Sequence, residues 1–519
     1  MRTTNSIKNI VAGISMQFVI ILLNFVSRGI FIKTLGANYL GIDGLFTSIL
    51  AMLNLAELGI GSVIIYSLYR PLEEKDTYQI AALMRFYKMA YRMIGVLVLV
   101  IGFVITPFLH VFIKEKPDIS HINIIYLLFV LDTFFSYFFS YKRPIIEADQ
   151  KSYILSVVRI AQQFISNLTT ISILLITKNY ILYLLSRICI RVLENLVIIY
   201  IANKKYPYIK SIDRATKLGQ KDKKLLFKNI RAIFLHKIGS YFVFSTDNLI
   251  ISSLIGVISV GIYSNYTLII NAIKGLTSQV FLGITASFGN LVVTESSGKK
   301  YEIFRIMMFI NFWISGFSSV CLFILLNPFI ILWIGKDYVF EQKIVGIIIF
   351  NFYIMNMRAS INIPKQTSGL FVNDKYAPLI ESAVNLIVSI ILVKQVGIIG
   401  VFIGTTISTL SVPFFTVPYL SYKYVFEKPL YKYYLEYICY AGATLTAVIF
   451  IQYIMKFVFV DITFVGFIGK IIVCVVVSNV IFILFFFRTE QFRYLVDRFK
   501  YLIIERINKP SILEKLFRK

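Results

Sequence analysis

Three charged residues, Arg187, Arg191 and Glu194, stand at i, i+4 and i+7 within an otherwise apolar run, so a helix carries all three on one face. A guanidinium in such a place keeps its charge and offers a planar fork of N–H donors that suits a phosphate. The same spacing also suits a structural arginine–carboxylate pair that fixes helix rotation. Other charges are sunk in apolar runs: Arg28, Arg92, Arg159, Arg231, Lys237, Lys274, Lys456 and Lys470 among the bases, Glu57, Asp132 and Asp247 among the acids. Each one near the centre of a hydrocarbon layer costs roughly 2.5–3.5 kcal/mol, so it faces a partner or a water-filled cavity. Arg159, Arg231, Lys456 and Lys470 lie near the ends of their runs, where a long side chain snorkels to the interface. Glu57, Asp132, Arg191 and Lys274 fall close to the midpoints. The chemistry divides by sign: Arg28, Arg191, Lys237 and Lys274 are the candidates for holding an anionic headgroup, and Glu57, Asp132 and Asp247 for ion pairing or cation coupling.

The elements that must position these charges are membrane helices. The chain has 519 residues, 58% hydrophobic and 15% charged, where a soluble domain carries about 25% charged residues. Fourteen apolar stretches recur, roughly 10–32, 44–68, 87–110, 122–141, 153–176, 180–202, 231–255, 262–284, 305–334, 344–363, 376–396, 398–421, 433–456 and 464–487. Each is long enough to cross a ~30 Å hydrocarbon core as a helix. Barrel strands would alternate in polarity over about 10 residues, and runs such as Val96 to Phe108 do not. The longest connection, 203–230, and the tail, 488–519, are too short to build an independent core. The expected fold is therefore an all-α polytopic membrane protein of about 14 transmembrane helices.

The formal charge of +26 invites a nucleic-acid reading, but its distribution follows topology instead. Nine Lys and Arg fall in 203–230 and nine in 488–519, against one in 33–43, two in 111–121 and one in 177–179. The positive-inside rule then puts both termini in the cytoplasm. No nucleic-acid partner is expected, while anionic membrane lipids are. The first apolar run follows a charged start but is too long for a signal-peptide core and lacks a small-residue cleavage site, so a retained helix is expected. Cys189, Cys321, Cys439 and Cys474 all lie in apolar stretches, unevenly spaced, which fits buried filler better than a disulfide framework or a zinc site.

A shift of 220 residues superposes Leu35-Gly36 and Gly41-Ile42 on Ile255-Gly256 and Gly261-Ile262. Six helices thus match six, and an even number gives both halves the same orientation, as in parallel-repeat transporters with a site near the bilayer midplane. The expected division is an N-lobe at 1–202, a basic cytoplasmic linker at 203–230, a C-lobe at 231–421, accessory helices at 422–487 and a basic cytoplasmic tail at 488–519. No Walker glycine loop with its lysine occurs, nor a Thr-Val-Gly-Tyr-Gly filter. A gradient-driven transporter working by alternating access, with no cofactor and no catalytic residues, is the expectation.

The stretch Phe31-Ile-Lys-Thr-Leu-Gly-Ala-Asn-Tyr-Leu-Gly-Ile-Asp-Gly-Leu-Phe46, with Leu55-Ala-Glu-Leu-Gly-Ile-Gly61 and Tyr66-Ser-Leu-Tyr-Arg-Pro71, resembles the first two helices of bacterial polysaccharide flippases. These are the O-antigen and capsule repeat-unit (Wzx-like) transporters of the multidrug/oligosaccharidyl-lipid/polysaccharide exporter superfamily. Gly369-Leu370, Asn373-Asp-Lys-Tyr376 and Asn385 resemble its tenth and eleventh helices. The resemblance implies two six-helix lobes, two accessory helices and an undecaprenyl-diphosphate-linked oligosaccharide carried to the outer leaflet of the bacterial plasma membrane. Polymerase and glycosyltransferase partners and an H+ or Na+ counter-ion go with it. Charges in the first, second, seventh and eighth helices line the cavity of relatives, where Arg28, Glu57, Asp247 and Lys274 stand here. The first helix lacks the acid that several multidrug members carry, which disfavours a drug exporter. With such a cargo, Asn24, Gln162, Gln163, Asn167, Asn271 and Asn385 are candidates for the sugar, or for interhelical hydrogen bonds worth about 0.6 kcal/mol each. Carrying two negative charges out of a negative cytoplasm releases about 4.6 kcal/mol per 100 mV if the whole field is crossed. The rival readings are a multidrug/cation antiporter, disfavoured because intramembrane bases outnumber acids, and a membrane polysaccharide polymerase, disfavoured by short outer loops.

Overall fold

The computed structural model describes residues 2–54, 60–114, 117, 119–209, 218–220, 223–224, 226–227, 230, 246–370, 373–458 and 463–508. Their regular structure is all helical. The α-helices include α1 (Arg2–Leu53), α2 (Ile60–Glu73), α3 (Thr77–Ile105), α4 (Ile122–Phe139), α5 (Arg143–Ala148), α6 (Ser152–Thr177), α7 (Tyr180–Lys205), α8 (Val257–Thr294), α9 (Ser297–Ile334), α10 (Gln342–Thr367), α11 (Ala377–Val396), α12 (Ile399–Ser411), α13 (Pro413–Ser421), α14 (Tyr431–Val458), α15 (Phe464–Phe486) and α16 (Glu490–Asn508). Ten helical spans among the described residues are long and apolar enough to cross a membrane. The protein is an all-α polytopic membrane protein, because a helix pairs all its own backbone groups where there is no water to pair them.

The chain forms two compact units. The first comprises Met1–Ala272, Trp333–Phe340 and Asp374–Val412. One apolar core joins α1, α4 and α7 through Phe31, Phe46, Tyr126, Phe129 and Leu184. Phe46 meets Tyr126 and Phe129 edge-on at 5.1 and 5.7 Å. A second core joins α2, α3, α5 and α7 through Leu68, Leu83, Tyr91, Ile145 and Ile198. Gly102 lets α3 approach α4 closely: a Cβ there would lie 2.5 Å from Val130, the small-residue contact that membrane helices favour.

The break expected between the first two spans, across 33–43, is confined to Gly36, with helix on both sides. Lys33, Thr34, Asn38 and Asp43 read as loop residues, yet backbone hydrogen bonding in a bilayer favours continuing the helix. Gly36 (φ 83°) and its repeat mate Gly256 (φ 144°) both adopt the positive φ that favours glycine. The bends meet reciprocally. A Cβ on Gly41 would lie 2.0 Å from the Val257 carbonyl oxygen, and one on Gly261 would lie 2.7 Å from the Ala37 carbonyl oxygen. Since 37 and 257 are related by the same shift as 41 and 261, the contact is self-complementary.

The second unit comprises Ile273–Leu332, Glu341–Asn373 and Pro413–Lys519. Its core packs α9 and α10 with α14 and α15. Phe312 stacks on Tyr440 at 4.4 Å and lies against Phe482 at 4.9 Å. A neutral network holds α9 to α10: Asn311 Nδ2 donates to the carbonyls of Asn356 (3.0 Å) and Met357 (2.8 Å) and to Ser360 Oγ (3.2 Å). Arg305 on α9 pairs with Glu436 on α14 at 2.6 Å.

Candidate functional site

The face of α7 that carries Arg187, Arg191 and Glu194 binds three other helices, one charge to each. Arg187 Nη1 lies 3.3 Å from Asp43 of α1, Arg191 Nε 3.1 Å from Asp132 of α4, and Glu194 2.8 Å from Arg143 Nη2 of α5. The ladder follows from periodicity: residues one turn apart on α7 meet successive neighbours around it. Arg143 also donates to Asn195 Oδ1 at 2.9 Å.

These pairs border a hollow. One cavity of about 590 Å³ is lined by Arg143, Arg159, Arg191, Glu147 and Glu194, among others. A second, of about 320 Å³, is lined by Arg28, Arg187, Arg191 and Asp43, among others. Gln162, Gln163 and Arg191 line both, so the two share a wall. Five guanidiniums thus face three carboxylates; counting Asp132 behind Arg191 makes it five to four. Arg28 donates to Ser264 Oγ at 3.4 Å. Among the described residues, neither Arg28 nor Arg159 has a carboxylate within 4.0 Å. The rest of the lining mixes neutral polar groups, among them Asn24, Asn167, Ser62, Ser136 and Tyr91, with apolar ones such as Ile65, Phe31 and Leu268. Tyr91 sits 4.1 Å from Tyr87 and 5.6 Å from Tyr137, giving the larger cavity an aromatic wall with polar tips.

A second site, built on an acid, lies in the same unit. Asp247, in the helical segment 246–254, is buried. Thr405 Oγ1 of α12 is 3.4 Å from both of its carboxylate oxygens. Asn385 Nδ2 of α11 donates to that hydroxyl at 3.0 Å, and Thr246 Oγ1 donates to Asn385 Oδ1 at 3.3 Å. The Val401 carbonyl accepts from Ser389 Oγ at 3.2 Å. Gly400 and Gly404, four residues apart, let α12 press onto α11: a Cβ on Gly404 would meet Ser389 Oγ at 2.1 Å. No basic side chain among the described residues lies within 4.0 Å of Asp247.

The residues expected to do chemistry therefore separate. Arg28 and Arg191 share one cavity, and Asp132 is the partner of Arg191. Asp247 sits in its own cluster. Lys274 lies half-buried on α8 in the second unit. Glu57, Lys237 and Arg231 fall outside the described residues. Of the amides, Asn24, Gln162, Gln163 and Asn167 line the cavities, Asn385 supports Asp247, and Asn271 is exposed. Arg159, expected to snorkel, lines the larger cavity. Asp43 and Arg143, the partners that complete the ladder, escaped sequence reasoning because they lie where connections were expected.

Many spanning helices, connections too short for a separate catalytic domain and polar sites sunk among the helices are the build of a membrane transporter. The chain belongs to the polysaccharide biosynthesis protein family, whose model matches residues 6–288. Among solved structures it is similar to the lipid II flippase MurJ in an inward closed conformation (TM-score 0.64, 17% identity, 92% of this chain and 100% of the other). It is also similar to an inward-facing multidrug resistance MATE transporter of the MOP superfamily (TM-score 0.58, 13% identity, 78% and 96%). A third is the MATE transporter VcmN of Vibrio cholerae (TM-score 0.52, 12% identity, 83% and 100%). Among curated proteins none matches. At these identities the likeness is one of fold.

Proposed function

We propose that the protein is a flippase that moves an undecaprenyl-diphosphate-linked oligosaccharide repeat unit from the cytoplasmic to the outer leaflet of the bacterial plasma membrane by alternating access, for capsule or O-antigen type polysaccharide. The observation that carries this reading is the cavity of the first unit, in which guanidiniums outnumber carboxylates beside amides, hydroxyls and tyrosine rings. A diphosphate needs the first group, since charge-assisted N–H···O bonds are the strong ones, and a sugar needs the second. Arg28 and Arg191 would hold the headgroup, with Lys237 and Lys274 as further candidate ligands. Both termini would be cytoplasmic, with glycosyltransferases acting before the step and a polymerase after it.

Asp247 would couple transport to a cation. Its carboxylate and the Thr405 hydroxyl supply oxygen donors of the kind a hard monovalent cation prefers, without a basic residue among those described to compete, and the Asn385 N–H holds that hydroxyl in place. A proton on the carboxylate would serve the same role. Glu57 would belong to the same coupling, and Asp132 would act as the ion-pair partner of Arg191.

Reconstitution in proteoliposomes with a fluorescent polyprenyl-diphosphate oligosaccharide tests the reading. Wild type should expose the label to the opposite leaflet, and an Arg28→Gln/Arg159→Gln double variant should lose at least tenfold in rate while staying in the membrane. Undiminished flipping by the double variant, or ethidium transport instead of flipping, would overturn it.

A further inference from the structure

The accessory helices of the second unit frame a cleft that the cargo reading leaves unused. It measures about 910 Å³ and lies among α9, α10, α14 and α15. Its walls are apolar, with Ile331, Ile449 and Tyr453, while Gln452, Lys456 and Lys470 bring polar groups to it. Asn327 Nδ2 donates to Gln342 Oε1 at 3.3 Å and Gln342 Nε2 donates to the Phe323 carbonyl at 2.9 Å, which ties α9 to α10 along one side. No carboxylate lines it among the described residues.

Lys470 is the unexpected member. It stands in the second turn of α15, near enough to the helix end for its side chain to be expected at the interface, as is Lys456 at the end of α14. Instead it is 8% exposed and lines the cleft. Among the described residues its ammonium has neither a hydrogen-bond acceptor nor a carboxylate within reach. An ammonium lining a cleft among membrane helices requires a counter-charge or water, and a basic pocket between membrane helices fits a lipid headgroup.

We propose that this cleft binds an anionic glycerophospholipid, its phosphodiester held by Lys470 and Lys456 and its acyl chains lying along Ile449, Tyr453 and Ile331. Lys470 supplies a buried positive charge for the phosphodiester and Lys456 a second, exposed one at the rim, and an apolar wall admits a lipid laterally. The lipid enters from the leaflet facing the α14–α15 connection and stays bound through the transport cycle, so the site is independent of the arginine cavity and its cargo.

Native mass spectrometry of the purified full chain, delipidated and then exposed to equal amounts of phosphatidylglycerol or phosphatidylcholine, tests the site. Wild type should retain the anionic lipid at least fivefold over the zwitterionic one. Lys470→Gln should bring the ratio to near one, Lys470→Arg should keep it, and Lys456→Gln should lower it about twofold. Equal retention of the two lipids by wild type, or an unchanged ratio in Lys470→Gln, overturns the proposal. Inorganic phosphate that displaces phosphatidylglycerol at equal concentration would also overturn it, since the site would then recognise an anion rather than a lipid. Should Lys470→Gln fail to reach the membrane, Lys456→Gln, at an exposed position, still decides: an unchanged ratio there rejects the two-lysine site.

Discussion

The arginine cavity of the first unit and the Asn311 network of the second both place polar groups inside a membrane helix bundle, but they use different chemistry. Asn311 Nδ2 makes three buried bonds with neutral acceptors on α10, and its Oδ1 accepts from Ser315 Oγ on its own helix. Nothing about that network requires a hollow. In the first unit the polar groups are ionic, border empty volume and leave Arg28 and Arg159 without a described carboxylate. Neutral amides suffice where helices need only be held together. Charge is retained where a charged visitor is to be received, because replacing a buried ion pair by apolar residues is often neutral or stabilising.

That contrast can be broken at four places. The largest effect is expected at the Arg191–Asp132 pair. Asp132→Ala leaves the guanidinium alone and should cost about 3 kcal/mol, the low end for a broken buried pair because the Arg191 side chain is 36% exposed, read as a lowered unfolding temperature in detergent. The paired variant Arg191→Met/Asp132→Leu should recover most of that stability yet transport poorly. Recovery of both would make the pair purely structural. Next comes Asn311→Leu, which leaves its partners unsatisfied and should cost about 1–3 kcal/mol while transport per folded molecule is unchanged. Arg28→Gln should change stability by no more than about 0.5 kcal/mol but reduce flipping severalfold, the reverse of the Asn311 result.

The smallest effect is on pH dependence. Asp149, in the connection between α5 and α6, accepts hydrogen bonds from Lys151 and Tyr206. Burial alone would raise its carboxyl, but those bonds and the positive charges of Lys151 and Lys205 outweigh burial and hold it below the ordinary range. A depressed carboxylate stabilises the fold above its unfolded pKa, about 3.9, and loses that contribution as pH falls through the lower folded value. Wild type and Asp149→Asn should therefore differ in unfolding temperature at pH 6 and converge below pH 4. A difference that persists at low pH would assign the effect to packing.

Much of the fold was legible because long apolar runs in a bilayer leave helix as the main solution. Expected spans at 344–363, 376–396 and 464–487 correspond to α10 (Gln342–Thr367), α11 (Ala377–Val396) and α15 (Phe464–Phe486). The resemblance to polysaccharide exporters holds at the level of the family. What composition hides is pairing in space. Arg191 and Asp132 were both conspicuous, but nothing in their spacing joins them, and Asp43 looked like a loop residue until α1 continued through it. Nor does helix-end position reveal that Lys470 lines a cleft, since the direction a long side chain takes depends on which way its neighbours leave room.

The interlocked glycines 41 and 261 make the bend of α1 and the start of α8 a single mechanical joint. Each repeat supplies the bearing in which the other's backbone is seated, so a methyl group added to either glycine would press on both levers at once.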